Sequence, residues 1–178
     1  YWDLSFNEIK SSENYFSSRL AEILKDSVKA RLISDVPLGA LLSGGVDSSV
    51  IVGLMSQLTD NVKTFSIGFN EKDFDELKYA KIVSQKFNTE HKEFNVTVDL
   101  IKDIPSIVHQ LDEPFVDPSA LPTHYVCKLA RKHVKVVLSG DGGDELFAGY
   151  TRYNEWNYAS KKSRTGCHGT GICAFSFY

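Results

Sequence analysis

The sequence predicts an α/β domain built on a mainly parallel, Rossmann-like sheet flanked by helices. Three observations predict it. Strand-like and helix-like apolar patterns alternate along the chain, the order expected when each crossover lays a helix on a sheet face. The run Val62-Lys63-Thr64-Phe65-Ser66-Ile67-Gly68-Phe69 alternates with a period of two, which marks a strand. Two further apolar runs, 38–42 and 134–138, lead straight into glycine-rich segments.

Residues 1–12 are polar and irregular and read as an incoming linker. From about Asn14 to Arg31 the spacing predicts an amphipathic helix. Phe16, Leu20, Ile23, Leu24 and Val28 form its apolar face, and Arg19, Glu22, Lys25, Asp26 and Lys29 fill the other. Pro37 forbids continuation of that helix and biases Val36 toward extended geometry. Leu38-Gly39-Ala40-Leu41-Leu42 reads as a buried strand, and a helix is expected from near Asp47 through Val50, Ile51, Leu54 and Met55. Asp73 to Phe87 reads as a helix with Leu77, Ala80, Ile82, Val83 and Phe87 inward. A weaker strand is expected at 90–96 and a helix at 99–111.

Pro114 and Pro118 make 112–118 a loop, and Asp117 and Ser119 there either line a pocket or only shape that loop. A helix over 119–132, the strand 134–138, and a short helix from Glu145 complete the pattern. No internal repeat is present. The domain is thus expected over 13–156, with 157–178 an unassigned tail.

The 178 residues suffice for one core. A formal charge of −3 gives no electrostatic reason to expect nucleic acid or an anionic membrane as partner. Positive potential for a phosphate must come from local groups, backbone N–H donors or a metal ion. No apolar stretch approaches the roughly 20 residues that span a bilayer, and Tyr1-Trp2-Asp3-Leu4-Ser5 has no signal-peptide character. Cys127, Cys167 and Cys173 are odd in number and sparse, so a reducing, cytoplasmic setting is expected. Cys127, beside Val126 and Leu129, is expected to be a buried, inert thiol. Cys167, His168 and Cys173 are too few and too close for a zinc site, and the five histidines show no ligand spacing.

The chemistry concentrates in the two glycine-rich segments. In Ser43-Gly44-Gly45-Val46-Asp47-Ser48-Ser49, adjacent glycines let the backbone approach a ligand. The helix that follows aims its N–H groups and positive dipole end at the same place. Ser43, Ser48 and Ser49 add hydroxyl donors. Asp47 would repel a bare phosphate, so its presence points to a bridging cation such as Mg²⁺. The segment lacks the Walker A lysine. The competing reading is a glycine turn with Asp47 as an ordinary helix cap.

The second segment, Ser139-Gly140-Asp141-Gly142-Gly143-Asp144-Glu145, pairs three glycines with three acids. Carboxylates beside a triphosphate are unfavourable unless they bind a cation or handle protons. A plain acidic helix cap would account for Asp144 alone. Both segments follow strand ends, where α/β sheets bind ligands, which places them in one expected site.

Ser43-Gly44-Gly45-Val46-Asp47-Ser48-Ser49 resembles the pyrophosphate loop of the ATP pyrophosphatases, the adenine nucleotide α-hydrolase-like fold. The run from Arg31 to Leu42, the run from Thr64 to Phe69, Asp75-Glu76 and Tyr79-Ala80 narrow the resemblance to the asparagine synthetases. Asp112-Glu113-Pro114-Phe115 with Asp117-Pro118-Ser119, and the run from Leu138 to Tyr150, complete it over roughly residues 14–156.

That resemblance implies ATP as substrate. Ser43, Gly44, Gly45, Ser48 and Ser49 would hold the pyrophosphate portion, and Asp47 and Asp144 would hold Mg²⁺. The backbone near Leu42 and Ile67 would receive adenine, with Ser139 and Gly140 close to the nucleotide. Asp141, where the family often has Glu, and Glu145 would be the catalytic acids. The implied reaction joins aspartate and ammonia through a β-aspartyl adenylate, releasing pyrophosphate and then AMP. Another carboxylate as acceptor, as in β-lactam synthetases, or a non-catalytic ATP-binding fragment are the alternatives.

A glutaminase domain or subunit is the implied source of ammonia, and nothing here matches one. The family's adenylate-forming lysine belongs to a later part of the domain, and neither Lys161 nor Lys162 is assigned its role.

Overall fold

The computed structural model describes residues 9–69, 77–96, 100–113, 117–153 and 155–156. Residues 1–140 and 141–178 form two compact units. The first contains helices α1 (Glu13–Arg31), α2 (Val46–Leu58), α3 (Leu77–Lys86), α4 (Leu100–Leu111) and α5 (Ala120–Ala130). Its strands are β1 (Leu38–Leu41), β2 (Lys63–Phe69), β3 (Glu90–Val96) and β4 (Val136–Leu138). The second unit holds the short helix α6 (Gly143–Phe147).

The strands form one sheet in the order β3-β2-β1-β4, every pair parallel. The order follows from the connections. α2 and α3 carry the chain outward from β1 to β3 on one face, and α4 and α5 return it to β4 beside β1. The strand order therefore reverses between β1 and β4, the position at which open α/β sheets bind ligands at their carboxyl ends.

Each face of the sheet has its own core. On one side Ala40, Leu42 and Val62 pack with Val52 and Met55 of α2, Ala80 of α3 and Val28 of α1. On the other, Phe65 packs with Val126 and Ala130 of α5 and with Val134. The Phe65, Phe94 and His133 rings stack there at centroid distances of 5.9–6.3 Å. The strand expected to be weak, β3, pairs with β2 over seven residues from Glu90 to Val96. Its polar composition suits an edge strand that is half solvated.

Three expectations about burial need correction. α1 forms as expected, its start capped by Ser12, whose Oγ accepts the Tyr15 N–H at 3.2 Å. Of its apolar face, however, only Val28 is buried, while Phe16, Leu20 and Ile23 are 44%, 39% and 47% exposed. At its C-terminal end Val28 and Leu32 join the core that includes Val52 and Met55 of α2. Ile82 is also exposed, because α3 turns Ala80, Val83 and Phe87 toward the core. Cys127 is exposed rather than buried. α5 buries Tyr125, Val126 and Ala130, and a 100° step per residue carries position 127 away from that face.

The helix expected at 73–87 is seen from Leu77, and Asp75-Glu76 lie outside the described residues. So do Pro114, Phe115, the linker residues 1–8 and the tail 157–178 with Lys161, Lys162, Cys167, His168 and Cys173. Among the described residues no helix is long and apolar enough to cross a membrane.

Candidate functional site

The loop after β1 is shaped by its own side chains and by α3. Gly44 adopts φ +87°, open to glycine and strained for other residues. A Cβ there would stand 2.5 Å from both the Ala80 nitrogen and the Tyr79 Cβ. The loop therefore lies against the α3 backbone with no room for a methyl group. Ser48 is buried, and its Oγ sits 3.0 Å from Ser43 Oγ and accepts the Ser43 N–H at 3.3 Å. Ser43 Oγ accepts the Gly45 N–H at 3.2 Å, and Ser49 Oγ donates to the Gly45 carbonyl at 2.6 Å. The hydroxyl expected from Ser48 as a phosphate donor is thus turned into the loop. Ser43 itself is exposed and Ser49 half-buried.

α2 starts at Gly45, which is its N-cap, and no side chain caps it. Asp47 lies in the first turn and is not a cap, so the ordinary helix-cap reading of that residue fails. An uncapped N-terminus of a 13-residue helix is a place that suits an anion.

Ser139 and Gly140 follow β4, which pairs with β1 in register Leu38↔Val136 to Ala40↔Leu138. Gly140 approaches the start of α2 so closely that a Cβ on it would be 2.6 Å from the Ser48 nitrogen and 2.9 Å from the Asp47 Cβ. The structure thereby brings Leu42, Ser43, Gly44, Gly45, Asp47, Ser48, Ser49, Ser139 and Gly140 to one end of the sheet. Ile67, near the end of β2, lies one strand away from Leu42. Leu42 is held by β2 on both polar backbone groups. Its N–H donates to the Phe65 carbonyl at 2.9 Å, and its carbonyl accepts the Ser66 hydroxyl.

Ser66 is a residue the sequence reasoning passed over. Its signal was present, since Thr64 and Ser66 alternate with Phe65 and Ile67, and buried hydroxyls require partners. Thr64 meets that need differently, with Thr89 Oγ1 and His91 Nδ1 each at 2.8 Å.

Asp141, Asp144 and Glu145 belong to the second unit. Gly142, in the left-handed conformation, is the N-cap of α6, again without a side-chain cap, so Asp144 does not cap that helix. α6 begins at Gly143, two residues before the expected start. Glu145 Oε1 accepts the Tyr150 hydroxyl at 2.6 Å, and the Arg152 guanidinium lies 4.5 Å from the centre of the Tyr150 ring. The Tyr150 hydrogen bond, aided by Arg152, holds the Glu145 carboxyl below its ordinary value. The same bond pushes the Tyr150 hydroxyl up to about 12.

Asp117 is engaged in the turn before α5. Its Oδ1 accepts the Ser119 N–H at 2.8 Å, which lowers its carboxyl.

A divalent cation fits this arrangement only in company. Among the described residues no group of three or more His, Cys, Asp or Glu could hold a metal by itself. Mg²⁺ usually takes one or two carboxylates and completes its shell with phosphate oxygens and water. Asp47, at the open start of α2, suits that role.

The Asparagine synthase family model matches residues 19–167. Asparagine synthetase (glutamine-hydrolysing) 1 of Bacillus subtilis is 38% identical over 156 residues, covering 87% of this chain and 25% of the relative. A putative asparagine synthetase (glutamine-hydrolysing) 2 of Methanocaldococcus jannaschii is 45% identical over 156 residues, covering 84% and 30%. A putative asparagine synthetase of Mycobacterium bovis is 42% identical over 137 residues, covering 76% and 21%. The chain thus spans roughly a quarter of the length of the curated relatives it matches. Among solved structures, an NH3-dependent NAD synthetase from Campylobacter jejuni aligns with a TM-score of 0.49 and 18% identity, covering 75% of this chain and 60% of that one.

Proposed function

As the chain belongs to the asparagine synthase family, we propose that it binds Mg-ATP at the β1/β4 switch point and activates a carboxylate for amidation. The observation that carries this reading is the contact of Gly140 with the first turn of α2. It joins the two glycine-rich segments over an uncapped helix N-terminus, a place suited to a polyphosphate.

In this reading the exposed Ser43, the loop backbone at Gly44 and Gly45, the α2 N–H groups and Ser49 hold the β and γ phosphates. Ser48 keeps the loop in shape. Asp47 would hold Mg²⁺, which when bound offsets phosphate charge. Adenine reads backbone near Leu42 and Ile67, with Ser139 and Gly140 beside the nucleotide. Aspartate attacks the α phosphorus to give β-aspartyl-AMP and pyrophosphate, and ammonia displaces AMP to give asparagine. Asp141 and Glu145 take the proton-handling roles. The chain's share of this catalysis is positioning and charge stabilisation. Ammonia would come from glutamine hydrolysis in a domain or subunit outside these residues, consistent with the names of the relatives.

The test is pyrophosphate release from Mg-ATP with aspartate and ammonium, and Asp47→Ala as control. Release that needs aspartate, forms asparagine and vanishes in the variant supports the full reading. Binding of ATP without release restricts the chain to the nucleotide-binding share of the reaction.

A further inference from the structure

The β1–β2 ladder stops one bond earlier than the strands require. The last register pair is Leu41↔Phe65, although β2 continues to Phe69 beside β3. In a parallel ladder, a residue that donates its N–H to one partner residue sends its carbonyl to the N–H two positions further along. Leu42 donates to the Phe65 carbonyl at 2.9 Å, so the next bond would run from the Ile67 N–H to the Leu42 carbonyl. That carbonyl instead accepts the hydroxyl of Ser66, a side chain only 4% exposed.

The substitution of a side-chain donor for a backbone donor has a specific consequence. Backbone groups along β2 point alternately to its two neighbours, and those of Phe65 face β1. Ile67, two residues on, presents its N–H and carbonyl in the same direction, beyond the end of β1 and beside the turn into Ser43. An adjacent donor and acceptor on one strand edge match the ring nitrogen and exocyclic amine of adenine. We propose that Ser66 is a positioning residue for a nucleobase: its hydroxyl occupies the Leu42 carbonyl and so keeps the Ile67 backbone open to an adenine edge. This role rests on the Mg-ATP reading above and deepens it.

Ser66→Ala and Ser66→Thr test it, with amide exchange by NMR as one readout and calorimetric binding as the other. Loss of the hydroxyl lets the Ile67 N–H close on the Leu42 carbonyl. Exchange of the Ile67 amide in Ser66→Ala then slows by roughly tenfold or more, the factor expected of one hydrogen bond. Mg-ATP binding weakens by about the same factor, while binding of Mg-tripolyphosphate, which has no base, is unchanged. Ser66→Thr keeps a hydroxyl and restores both values.

Unchanged Ile67 exchange in Ser66→Ala overturns the proposal. So does equal weakening of ATP and tripolyphosphate, which would mark Ser66 as a general support of the loop. Wild-type protein that binds neither ligand removes the nucleobase role together with the ATP reading. Slowed Ile67 exchange in Ser66→Ala would then locate the failure in that reading and not in the Ser66–Leu42 bond.

Discussion

Gly140 and Ser48 are in backbone contact: the hydrogen at the Gly140 Cα points at the Ser48 nitrogen, 2.6 Å from where a Cβ would stand. The last residue of the first unit is thereby seated on the first turn of α2. Gly140→Ala must push the two loops apart, because the obstructing atoms are largely backbone. Overpacking of this kind costs about 1–3 kcal/mol. A urea titration should show that loss, together with weaker Mg-ATP binding.

The two adjacent glycines should respond unequally. Gly44→Ala adds left-handed strain of about 1–2 kcal/mol to a clash with Tyr79 and Ala80. Gly45 has φ −67°, and its Cβ would meet only Ser43 Oγ at 3.3 Å. Gly45→Ala should stay within about 1 kcal/mol of wild type, since unfolded-state entropy and N-cap preference oppose each other. Chemical denaturation of both variants checks the difference.

His91 carries a pH dependence of stability. Its side chain is 10% exposed, with Nδ1 on Thr64 and Nε2 buried without a hydrogen bond, 3.6 Å from the Glu93 carboxylate. Burial lowers its pKa below 6.5, Glu93 opposes the shift, and Lys81 adds to it. A depressed folded pKa means the unfolded chain binds the proton more readily. The contribution to stability is therefore complete above pH 6.5 and is lost as pH falls from 6.5 through the lowered value. Melting curves between pH 8 and 5, as a rough range, should show this decline, and His91→Gln should reduce it.

Glu145 and Tyr150 should titrate as partners. Tyr150→Phe removes the main stabiliser of the Glu145 carboxylate, so the Glu145 pKa should rise toward its ordinary value. NMR titration of the Glu145 side chain in wild type and variant checks the direction. No rise would mean that the 2.6 Å bond does not persist in solution.

The parts of the fold that follow from periodicity were legible. The alternation of Val62 to Phe69 marked β2, and the runs before Ser43 and Ser139 marked β1 and β4. β3 looked weak because Glu90, Lys92 and Glu93 carry little apolar signal, yet pairing with β2 defines it. Burial was read less well, since periodicity identifies an apolar face but not its cover. The exposed Phe16, Leu20, Ile23 and Ile82 are the result, and Cys127 was misread from its neighbours alone.

At the candidate site, residue identity made the glycines and Asp47 visible. The inward turn of Ser48, the support of Gly44 by Tyr79 and the Ser66–Leu42 bond were not, because each depends on elements distant in sequence.

The most direct test of the account is calorimetric titration of Mg-ATP into the wild-type chain and into Gly44→Ala at a temperature where both remain folded. The account predicts saturable, Mg²⁺-dependent binding to the wild type and weakening of about tenfold or more in the variant, equivalent to about 1.4 kcal/mol. No binding to the wild type, or equal binding by both proteins, would contradict it.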